Sequence, residues 1–472
     1  SGGGGTAGGL ETGGGAGGGD GGGLAGGGAA GGAAGGAAGG AAGGTSGGAA
    51  GGTSGGAAGG AAGGAPACTP TGPELCTDGL DNDCDAGADC ADPSCLGISC
   101  QAGTQNVCTS PGTCACGTHV TALGAADPRV RPSVLEVAGR PRAFYVTTGA
   151  ALYTECLSGC ATATPTWSTP VAVGPGGTDR ESRPLLRESG GVLSVMWNAG
   201  LALRFAQCPA NCTSAAGWTT SLDITAGENT SHTLAYDVLG GLHVAVYEED
   251  TTSVADGGGL SYVECTSGCT ASVQAWRPVL YLPHNPSGAD ARLTALSDGG
   301  VRRSLAVWDD VPNSLFYGEC EADCLQGTSW AFADLSTNSK DPSLVVDAQG
   351  LPRVFALNTN LNRLWIHRCP QRPCTAAANW SSTNFMTSSH VTGGNFISGE
   401  TFFVTSPTDG SALLLGRESG SSYTTTSLTL CPSGVAPGLR PHAYAGPADR
   451  LRVVSVGPTG STPPINFLYQ AP

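Results

Sequence analysis

The acidic side chains between positions 81 and 92 carry the clearest chemical signature in this sequence. Counted from the first of them, carboxylates stand at positions 1, 3, 5, 9 and 12 of a twelve-residue stretch: Asp81, Asp83, Asp85, Asp89 and Asp92. These are side-chain positions of an EF-hand calcium loop, whose ligands are hard oxygen atoms. A divalent cation would offset the mutual repulsion of so many carboxylates. The spacing therefore predicts a calcium ion with a structural role.

The acidic stretch departs from the EF-hand pattern at two positions. Ala86 stands at position 6, where a glycine normally allows the sharp turn, and position 12 is Asp92 instead of the longer glutamate. Neither flank has a helical pattern, so we expect a calcium loop outside an EF-hand. Two alternatives stay open. Copper would favour a nearby His or Met, which the stretch lacks, or the acids bind no metal and solvate a disulfide-rich segment.

A resemblance to a known motif begins at the preceding cysteine. Cys76-Thr-Asp78-Gly79-Leu-Asp81-Asn82-Asp83-Cys84-Asp85 resembles the Asp-Gly-x-Asp-Asn-Asp-Cys-Asp metal-binding motif of the MopE type. That motif is abundant in surface lipoproteins of myxobacteria and their relatives. The near-absence of lysine, with Lys340 alone against twenty arginines, fits the high-GC coding of such organisms. The resemblance implies metal binding outside the cell, with calcium or copper as the metal.

Cysteine usage indicates an exported protein. The chain has 20 cysteines and 7 histidines, and no histidine lies beside a cysteine pair at zinc-finger spacing. Nine cysteines fall in residues 66–117, a segment too poor in apolar residues to fold without disulfides or metal. We therefore expect a cysteine-rich metal-binding knot at 66–117, located on the outside or outer-membrane surface of a bacterium. Since nine is odd, we expect Cys431 to pair with a knot cysteine.

A repeat of about fifty residues follows the knot. Its clearest part reads Leu-x-Tyr/Phe-x-x-Cys, a second cysteine four or five residues later, and then a tryptophan. We predict a disulfide within each cysteine turn rather than a metal site, because two thiolates without a third ligand make a poor zinc site. The predicted pairs are Cys156–Cys160, Cys208–Cys212, Cys265–Cys269, Cys320–Cys324 and Cys369–Cys374.

Two further strand-like runs precede each cysteine pair, so every repeat supplies four antiparallel strands. Repeats of this kind are typical of β-propellers. A sixth unit lacks the cysteines, and a seventh, at 440–470, stops one strand short. We predict that residues 118–123 supply that strand and close the ring. The predicted fold class is all-β: a seven-bladed propeller at 118–472, preceded by the knot and by a tether.

The tether is residues 1–65, which are almost entirely Gly and Ala. Such a segment has little to bury and is predicted to be disordered. Its opening, Ser-Gly-Gly-Gly-Gly, resembles the mature start of bacterial lipoproteins, so we expect membrane association only through a lipid anchor before Ser1; simple secretion is the alternative. The net charge of −16 provides no cationic surface for nucleic acid.

The ends of the second strands are where the sequence predicts a ligand-binding face of the propeller. Aromatic and polar residues at the ends of the second strands predict a face that binds a protein or a glycan: Trp197, Glu248, Asp250, Trp308, Asp309 and Asn358. The alternative is that these are ordinary strand ends with solvated turns. Common hydrolase, metalloprotease and phosphate-binding motifs are absent from the sequence. We expect a surface-tethered binding or adhesion protein that is not an enzyme; the alternatives are an extracellular carbohydrate-active propeller enzyme or a structural envelope component.

Overall fold

The structure is a computed structural model that describes part of the chain between residues 69 and 470. The predicted tether, Asp85, Asp250 and Cys431 lie outside the described residues. Contacts divide the chain into Ser1–Ala65 and Pro66–Pro472. The described residues are 69–76, 80–84, 88–95, 106–110, 113–116, 118–125, 131–160, 165–177, 184–200, 202–225, 228–237, 240–249, 259–276, 280–282, 286–295, 301–309, 314–407, 412–420, 422–428, 439–446, 450–457 and 464–470.

Short runs rich in Val, Leu, Thr and aromatic residues form the strands, and Gly, Asp and Asn occupy the turns. Before the first blade lie β1 (Asn106–Ser110), β2 (Thr113–Cys116) and β3 (Thr118–Ala125). Blade 1 contains β4 (Ser133–Val137), β5 (Arg140–Val146), β6 (Ala150–Ser158), β7 (Thr166–Trp167) and β8 (Val171–Pro175). Blade 2 contains β9 (Leu185–Ser189), β10 (Val192–Ala199), β11 (Ala202–Cys208) and β12 (Leu222–Thr225). Blade 3 contains β13 (Glu228–Tyr236), β14 (Leu242–Glu249), β15 (Gly259–Cys265) and β16 (Leu280–Leu282).

The second half of the ring repeats this order. Blade 4 contains β17 (Pro286–Ala295), β18 (Val301–Asp309), β19 (Ser314–Cys320) and β20 (Ala331–Thr337). Blade 5 contains β21 (Ser339–Val346), β22 (Pro352–Asn358), β23 (Arg363–Arg368) and β24 (Ser381–Thr387). Blade 6 contains β25 (His390–Asn395), β26 (Thr401–Ser406), β27 (Leu413–Ser419) and β28 (Ser422–Leu428). Blade 7 contains β29 (Leu439–Ala445), β30 (Leu451–Val456) and β31 (Pro464–Gln470).

The described helices are single 3₁₀ turns. They span Asp89–Ala91, Pro93–Cys95, Ala215–Gly217, Val273–Trp276, Gly327–Ser329 and Ala377–Asn379. Among the residues described, no helix combines the length and the apolar character that crossing a membrane requires.

The first strands of the blades line the channel at the centre of the ring. Each contacts the first strand of the next blade, from β4 through β9, β13, β17, β21 and β25 to β29, and β29 contacts β4 again. The other strands of each blade follow outward in antiparallel order. Because the first strands run in the same direction, their C-terminal ends meet at one mouth of the channel. We call this the turn mouth, since it carries the turns between first and second strands.

Blade 7 is completed by the N-terminal strand, which confirms the predicted closure. β3 pairs antiparallel with β31, with His119 opposite Tyr469 and Thr121 opposite Phe467. The sheet order is β29-β30-β31-β3. Closure by the two ends of the propeller pairs the strand edge that an open ring would leave exposed.

The aromatic part of the repeat packs each blade against the next. The tryptophan that follows each cysteine turn packs on the aromatic residue of the third strand in the preceding blade, with ring centroids 4.9–5.1 Å apart, in the pairs Tyr153–Trp218, Phe205–Trp276, Tyr262–Trp330 and Tyr317–Trp380. The tryptophan of blade 1, Trp167, meets Phe467 of blade 7 at 4.7 Å. The same contact therefore continues across the closure.

All five predicted disulfides are present in the cysteine turns. The tryptophan of the repeat also donates a hydrogen bond to the cysteine turn. The indole Nε1–H of Trp218 donates to the carbonyl oxygen of Cys212 at 2.9 Å, and that of Trp276 donates to the carbonyl oxygen of Cys269 at the same distance. A sixth disulfide, Cys76–Cys95, lies in the knot. No cysteine in the described part of the chain is a free thiol.

A Tyr-x-Glu-Cys sequence on the third strands of blades 1, 3 and 4 places a half-buried glutamate beside each cysteine turn. In blade 3 the Tyr262 hydroxyl donates to Glu264 Oε1 at 2.7 Å, and Arg303 Nε of blade 4 lies 3.2 Å from the same oxygen. In blade 4, Glu319 is bonded to Arg372 of blade 5 at 2.6 Å. Glu264 and Glu319 therefore link neighbouring blades by charge.

Candidate functional site

The acidic segment of the knot brings together carboxylates that the loop pattern only partly anticipates. Oxygen atoms of Glu74, Asp81 and Asp83 lie within 4.8 Å of one another. Glu74 also holds the loop in place, because its two oxygens accept backbone N–H bonds from Asn82 and Asp89, each at 2.7 Å. Glu74 was not among the predicted ligands. It lies seven residues before the loop, outside the twelve-residue pattern.

The carboxylate of Asp92, the last residue of the predicted calcium loop, accepts hydrogen bonds within a local turn. Asp92 Oδ1 accepts the backbone N–H of Ser94 at 2.6 Å, and its Oδ2 accepts the Ser94 hydroxyl at 2.8 Å. A second acidic group contains Glu74, Asp92 and Cys95, but Cys95 is bonded to Cys76 and so has no thiolate to offer. The three oxygens of Glu74, Asp81 and Asp83 form the better donor set for a hard cation.

Of the residues predicted to bind a ligand at the second-strand ends, those that the structure describes lie at the opposite mouth from the turn mouth. The Trp197 ring is fully buried, and its Nε1–H donates to the Pro175 carbonyl at 2.9 Å. Asn358 Oδ1 accepts two backbone N–H bonds of its own turn. Trp308 packs against a hydrophobic cluster, and Asp309 is buried. These contacts describe packing and turn capping, and a ligand role for this set, including Glu248 and Asp250, stays a prediction.

A cavity of about 430 Å³ opens at the turn mouth. Its wall comes from the first strands of blades 1, 2, 3, 6 and 7, and its polar or aromatic lining includes Glu136, Arg187, Glu188, Tyr236, Asn395, His442 and Tyr444. Ligand pockets for small molecules commonly measure about 300–1,000 Å³. The cavity is therefore large enough for a short saccharide segment.

The two glutamates of this channel cavity differ in their partners. Glu136 Oε2 lies 2.7 Å from Arg452 Nε, and both side chains are almost fully buried. Glu188 sits at the end of β9, where its Oε1 accepts the backbone N–H of Gly191 at 2.6 Å. Glu136 is thus neutralised by an arginine, whereas the described contacts give Glu188 a single backbone donor.

The cavity arginine is bound to the backbone. Arg187 Nε donates to the Leu234 carbonyl at 3.0 Å, and Nη1 donates to the Leu186 carbonyl at 3.0 Å. The guanidinium therefore joins β9 to β13 and directs two of its donors into the wall. In the same wall, His442 Nδ1 accepts the Val134 N–H at 3.1 Å, so a neutral His442 carries its proton on Nε2.

Tyr236 stands at the last position of β13, lines the cavity, and packs against the hydrophobic core between blades 2 and 3. Its hydroxyl is hydrogen-bonded to Ser194, and Gln207 Nε2 donates to it at 3.4 Å. Burial raises the pKa of Tyr236, the bonds with Ser194 and Gln207 act to lower it, and the charge of Glu188 raises it. The net pKa is raised, so the phenol stays protonated at neutral pH.

Tyr444 faces the cavity from blade 7 and is 38% exposed. Burial raises its pKa first, and the charges of Glu136 and Glu188 raise it further. The charge of Glu188, on blade 2, thus raises the pKa of both tyrosines. The cavity therefore combines two protonated phenols with a carboxylate.

Sequence reasoning missed this constellation. Glu136, Glu188, Tyr236, Asn395 and Tyr444 each stand at or near the end of a first strand, a few residues before a turn glycine. A polar residue recurring at that repeat position is a signal that could have identified them.

Comparison with known proteins gives similarities in fold. No protein-family model matches the sequence, and no curated protein matches it. Solved structures that the chain resembles include an ulvan lyase of polysaccharide lyase family PL25 bound to -[GlcA(1-4)Rha3S]-. The two sequences are 11% identical, the match covers 74% of this chain and 94% of that chain, and the TM-score is 0.49. The NanB sialidase from Streptococcus pneumoniae is 10% identical, with 76% and 71% covered and a TM-score of 0.40.

A third similar structure is AofleA from Arthrobotrys oligospora, at 10% identity, with 71% of this chain and 93% of that chain covered and a TM-score of 0.43. At such values the likeness concerns the fold alone. By its fold and its cysteine turns, this chain is a disulfide-stapled seven-bladed β-propeller.

The expectation that the protein is not an enzyme is corrected by these comparisons. Polysaccharide lyases and a sialidase are among the solved structures that share this architecture. The expectation rested on missing sequence motifs, and a propeller assembles its site from strands that are distant in sequence. The absence of a linear motif therefore carries no weight against catalysis here.

Proposed function

We propose that this protein is a carbohydrate-active propeller of the bacterial cell exterior, and that it holds a saccharide segment in the channel cavity. The observation that carries this proposal is a cavity of about 430 Å³ whose lining includes Glu188, Tyr236 and Tyr444. Tyrosine combines an apolar face for a sugar ring with a polar hydroxyl.

The chemistry of the same residues suits a reaction on the bound sugar. Glu188 offers a carboxylate as a proton acceptor, and Tyr444, which is protonated at neutral pH, offers a proton donor. Both line one cavity, and they come from different blades. We assign Glu188 and Tyr444 to acid–base chemistry on the saccharide.

Location outside the cell is supported by the oxidised cysteines. Five disulfides lie in the propeller turns, and disulfides persist in oxidising compartments. Surface attachment through the N-terminal tether and a lipid anchor before Ser1 remains part of the proposal.

The proposal is tested by measuring binding and turnover on a panel of extracellular polysaccharides. We expect Glu188→Gln and Tyr444→Ala to abolish turnover and to weaken binding. Leu361→Ala is the matched control, since Leu361 is 54% exposed in a turn at the opposite mouth. Binding that is lost in the Leu361 variant and kept in the Glu188 variant would contradict the location of the site.

A structural calcium ion in the knot is the second part of the proposal. Three carboxylates, from Glu74, Asp81 and Asp83, approach within 4.8 Å, and the bonds from Glu74 to two backbone N–H groups already order the loop. Calcium prefers such oxygen donors and neutralises their repulsion. Calorimetric titration of chelator-treated protein with calcium would show one site, which Asp81→Asn should remove.

A further inference from the structure

The end of the channel opposite the turn mouth gathers charged residues from several blades. We call it the start mouth, because the first strands begin there. Lys340 and Asp341 stand near the start of β21 in blade 5, and His390 begins β25 in blade 6. Arg440 is the second residue of β29 in blade 7, and Arg131 lies two residues before β4 in blade 1. Since these first strands contact one another in turn, the five residues share one arc of the start mouth.

An ion pair shows that side chains of this arc converge. Arg131 Nη2 lies 2.8 Å from Asp341 Oδ2, although blades 6 and 7 stand between blades 1 and 5 along this arc. Arg131 is 6% exposed, and its Nε–H has no hydrogen-bond partner among the described residues. A buried donor without an acceptor is costly. An acceptor oxygen on a ligand would satisfy it.

Positive charge exceeds negative charge on this arc. The charged residues that the structure describes at these strand starts are three cations, Arg131, Lys340 and Arg440, and one anion, Asp341. When Asp341 is counted with Arg131, its partner at 2.8 Å, two positive charges are left. This arc is therefore cationic in a protein whose net charge is −16.

The acids of the start mouth lie on the other arc. β13 of blade 3 begins with Glu228, which is opposite Glu249 at the end of β14. Asp309 ends β18 of blade 4. The start mouth is therefore polarised, so that an anion is attracted to the arc of blades 5, 6, 7 and 1 and repelled from blades 3 and 4.

His390 lies within the field of the same charges. Burial is the largest influence and lowers its pKa, the charges of Arg131, Arg440 and Lys340 also lower it, and the charge of Asp341 acts to raise it. The resulting pKa is about 3, so the imidazole is neutral at physiological pH. His390 therefore leaves the charge balance of the arc unchanged.

We propose that the cationic arc of the start mouth binds a carboxylate group of a ligand, with Arg131 Nε donating to a carboxylate oxygen and with Lys340 and Arg440 supplying charge. Arg131 offers a single buried donor, which suits a carboxylate better than a phosphate group, whose three oxygens accept more hydrogen bonds. Charge-assisted bonds from a guanidinium to a carboxylate are stronger than neutral ones. This site is separate from the channel cavity and does not depend on the proposed function.

The first test compares two ligands that differ in that charge. A galacturonic acid trimer and its methyl ester are titrated calorimetrically into the full chain at near-neutral pH. We expect the acid to bind at least about tenfold more tightly than the neutral ester. Arg131→Gln should remove this preference. Arg204→Gln is the matched control, because it removes one positive charge from an arginine that pairs with Asp223 on blade 2, and it should keep the preference.

The second test uses the fact that Lys340 is the only lysine of the chain. Acylation of its amine by an amine-reactive reagent can be followed by mass spectrometry at that one side chain. The acid trimer should slow the acylation, and the methyl ester should not. Lys340→Gln keeps the ion pair of Arg131 and Asp341, so it should retain the fold by circular dichroism and weaken binding of the acid by at least about threefold. If Arg131→Gln does not fold, Lys340→Gln decides the question.

Three results would overturn the inference. They are equal binding of the acid and the ester, a preference for the acid that survives in Lys340→Gln, and a preference that Arg204→Gln also removes, which would assign it to net charge. If Glu188→Gln abolishes binding of the acid and the start-mouth variants do not, the anion binds in the channel cavity and the proposed function stands. Protection of Lys340 by monomeric galacturonate would identify a free acid as the ligand, and protection by the trimer alone would identify an acidic polysaccharide.

Discussion

Replacing Glu264 by glutamine tests whether charge links between blades stabilise the ring. Glu264 lies on β15 and is 18% exposed; it contacts Arg303 of blade 4 at 3.2 Å and His243 Nδ1 at 3.3 Å. Burial is the largest influence on its pKa and acts to raise it. The hydrogen bonds of His243 and Tyr262 and the charges of His243 and Arg303 outweigh burial and lower the pKa from 4.5 to about 2.

The expected loss of stability follows from the lowered pKa of Glu264. At about 1.4 kcal/mol per pKa unit, the fall from 4.5 to about 2 corresponds to on the order of 3 kcal/mol of stabilisation of the charged form. Glutamine keeps a hydrogen-bond acceptor for Tyr262, so we expect Glu264→Gln to lower the free energy of unfolding by about 2 kcal/mol at neutral pH.

The pH dependence gives a second, independent readout. Since the folded-state pKa lies below the unfolded value, the contribution of Glu264 is fully present above about pH 4.5 and is lost as the pH falls toward about 2. Urea unfolding of the non-reduced protein should therefore separate wild type from Glu264→Gln at neutral pH and bring the two together near pH 2.

The matched control removes the same charge at an exposed pair. Glu321 contacts Arg302 at 2.6 Å but is 54% exposed, and such pairs contribute less than about 1 kcal/mol. Equal unfolding midpoints for Glu264→Gln and wild type at neutral pH would refute the reasoning, as would a deficit that persists unchanged near pH 2.

Three further predictions concern closure, disulfides and metal. Phe467→Ala removes a buried ring that packs on Trp167 across the closure, and we expect a loss of about 3–5 kcal/mol in urea unfolding; a loss below about 1 kcal/mol would contradict a role in closure. Joint replacement of Cys208 and Cys212 by serine opens a five-residue loop and should lower the free energy of unfolding by about 2 kcal/mol under non-reducing conditions. Unchanged stability would show that the turn does not depend on the disulfide. Chelation should lower the thermal unfolding midpoint of the wild type and leave Asp81→Asn, already without the ion, unmoved.

The repeat shows how much of the fold could be predicted from sequence. A cysteine pair four or five residues apart marks a turn, and a tryptophan ten or eleven residues after the first cysteine marks the strand that follows. Four strands per repeat specify a propeller, and a seventh unit that lacks a strand predicts closure by residues 118–123. Each of these signals is local or periodic, so a linear pattern contains them. The contact of Trp167 with Phe467 across the closure was not predicted, because it joins residues three hundred positions apart.

The candidate site could not be predicted in the same way. At the second-strand ends, Trp197 and Asn358 are engaged in packing and turn capping, and their ligand role stays a prediction. Glu188, Tyr236 and Tyr444 come from three blades. Their convergence depends on ring closure and on the shared direction of the first strands.

By itself, the sequence determined the blade: the alternation of its strands, the glycine turns, the cysteine pairs and the number of repeats. It also determined the acidic composition of the knot. Tertiary structure decided which ends of those strands meet, that Glu74 joins Asp81 and Asp83, and that Arg452 neutralises Glu136. It also decided that, within the described residues, Glu188 accepts the backbone N–H of Gly191. The physical reason is that strand formation follows from local hydrophobic periodicity, whereas the charge of a cavity is a sum over side chains that only the closed ring brings into range.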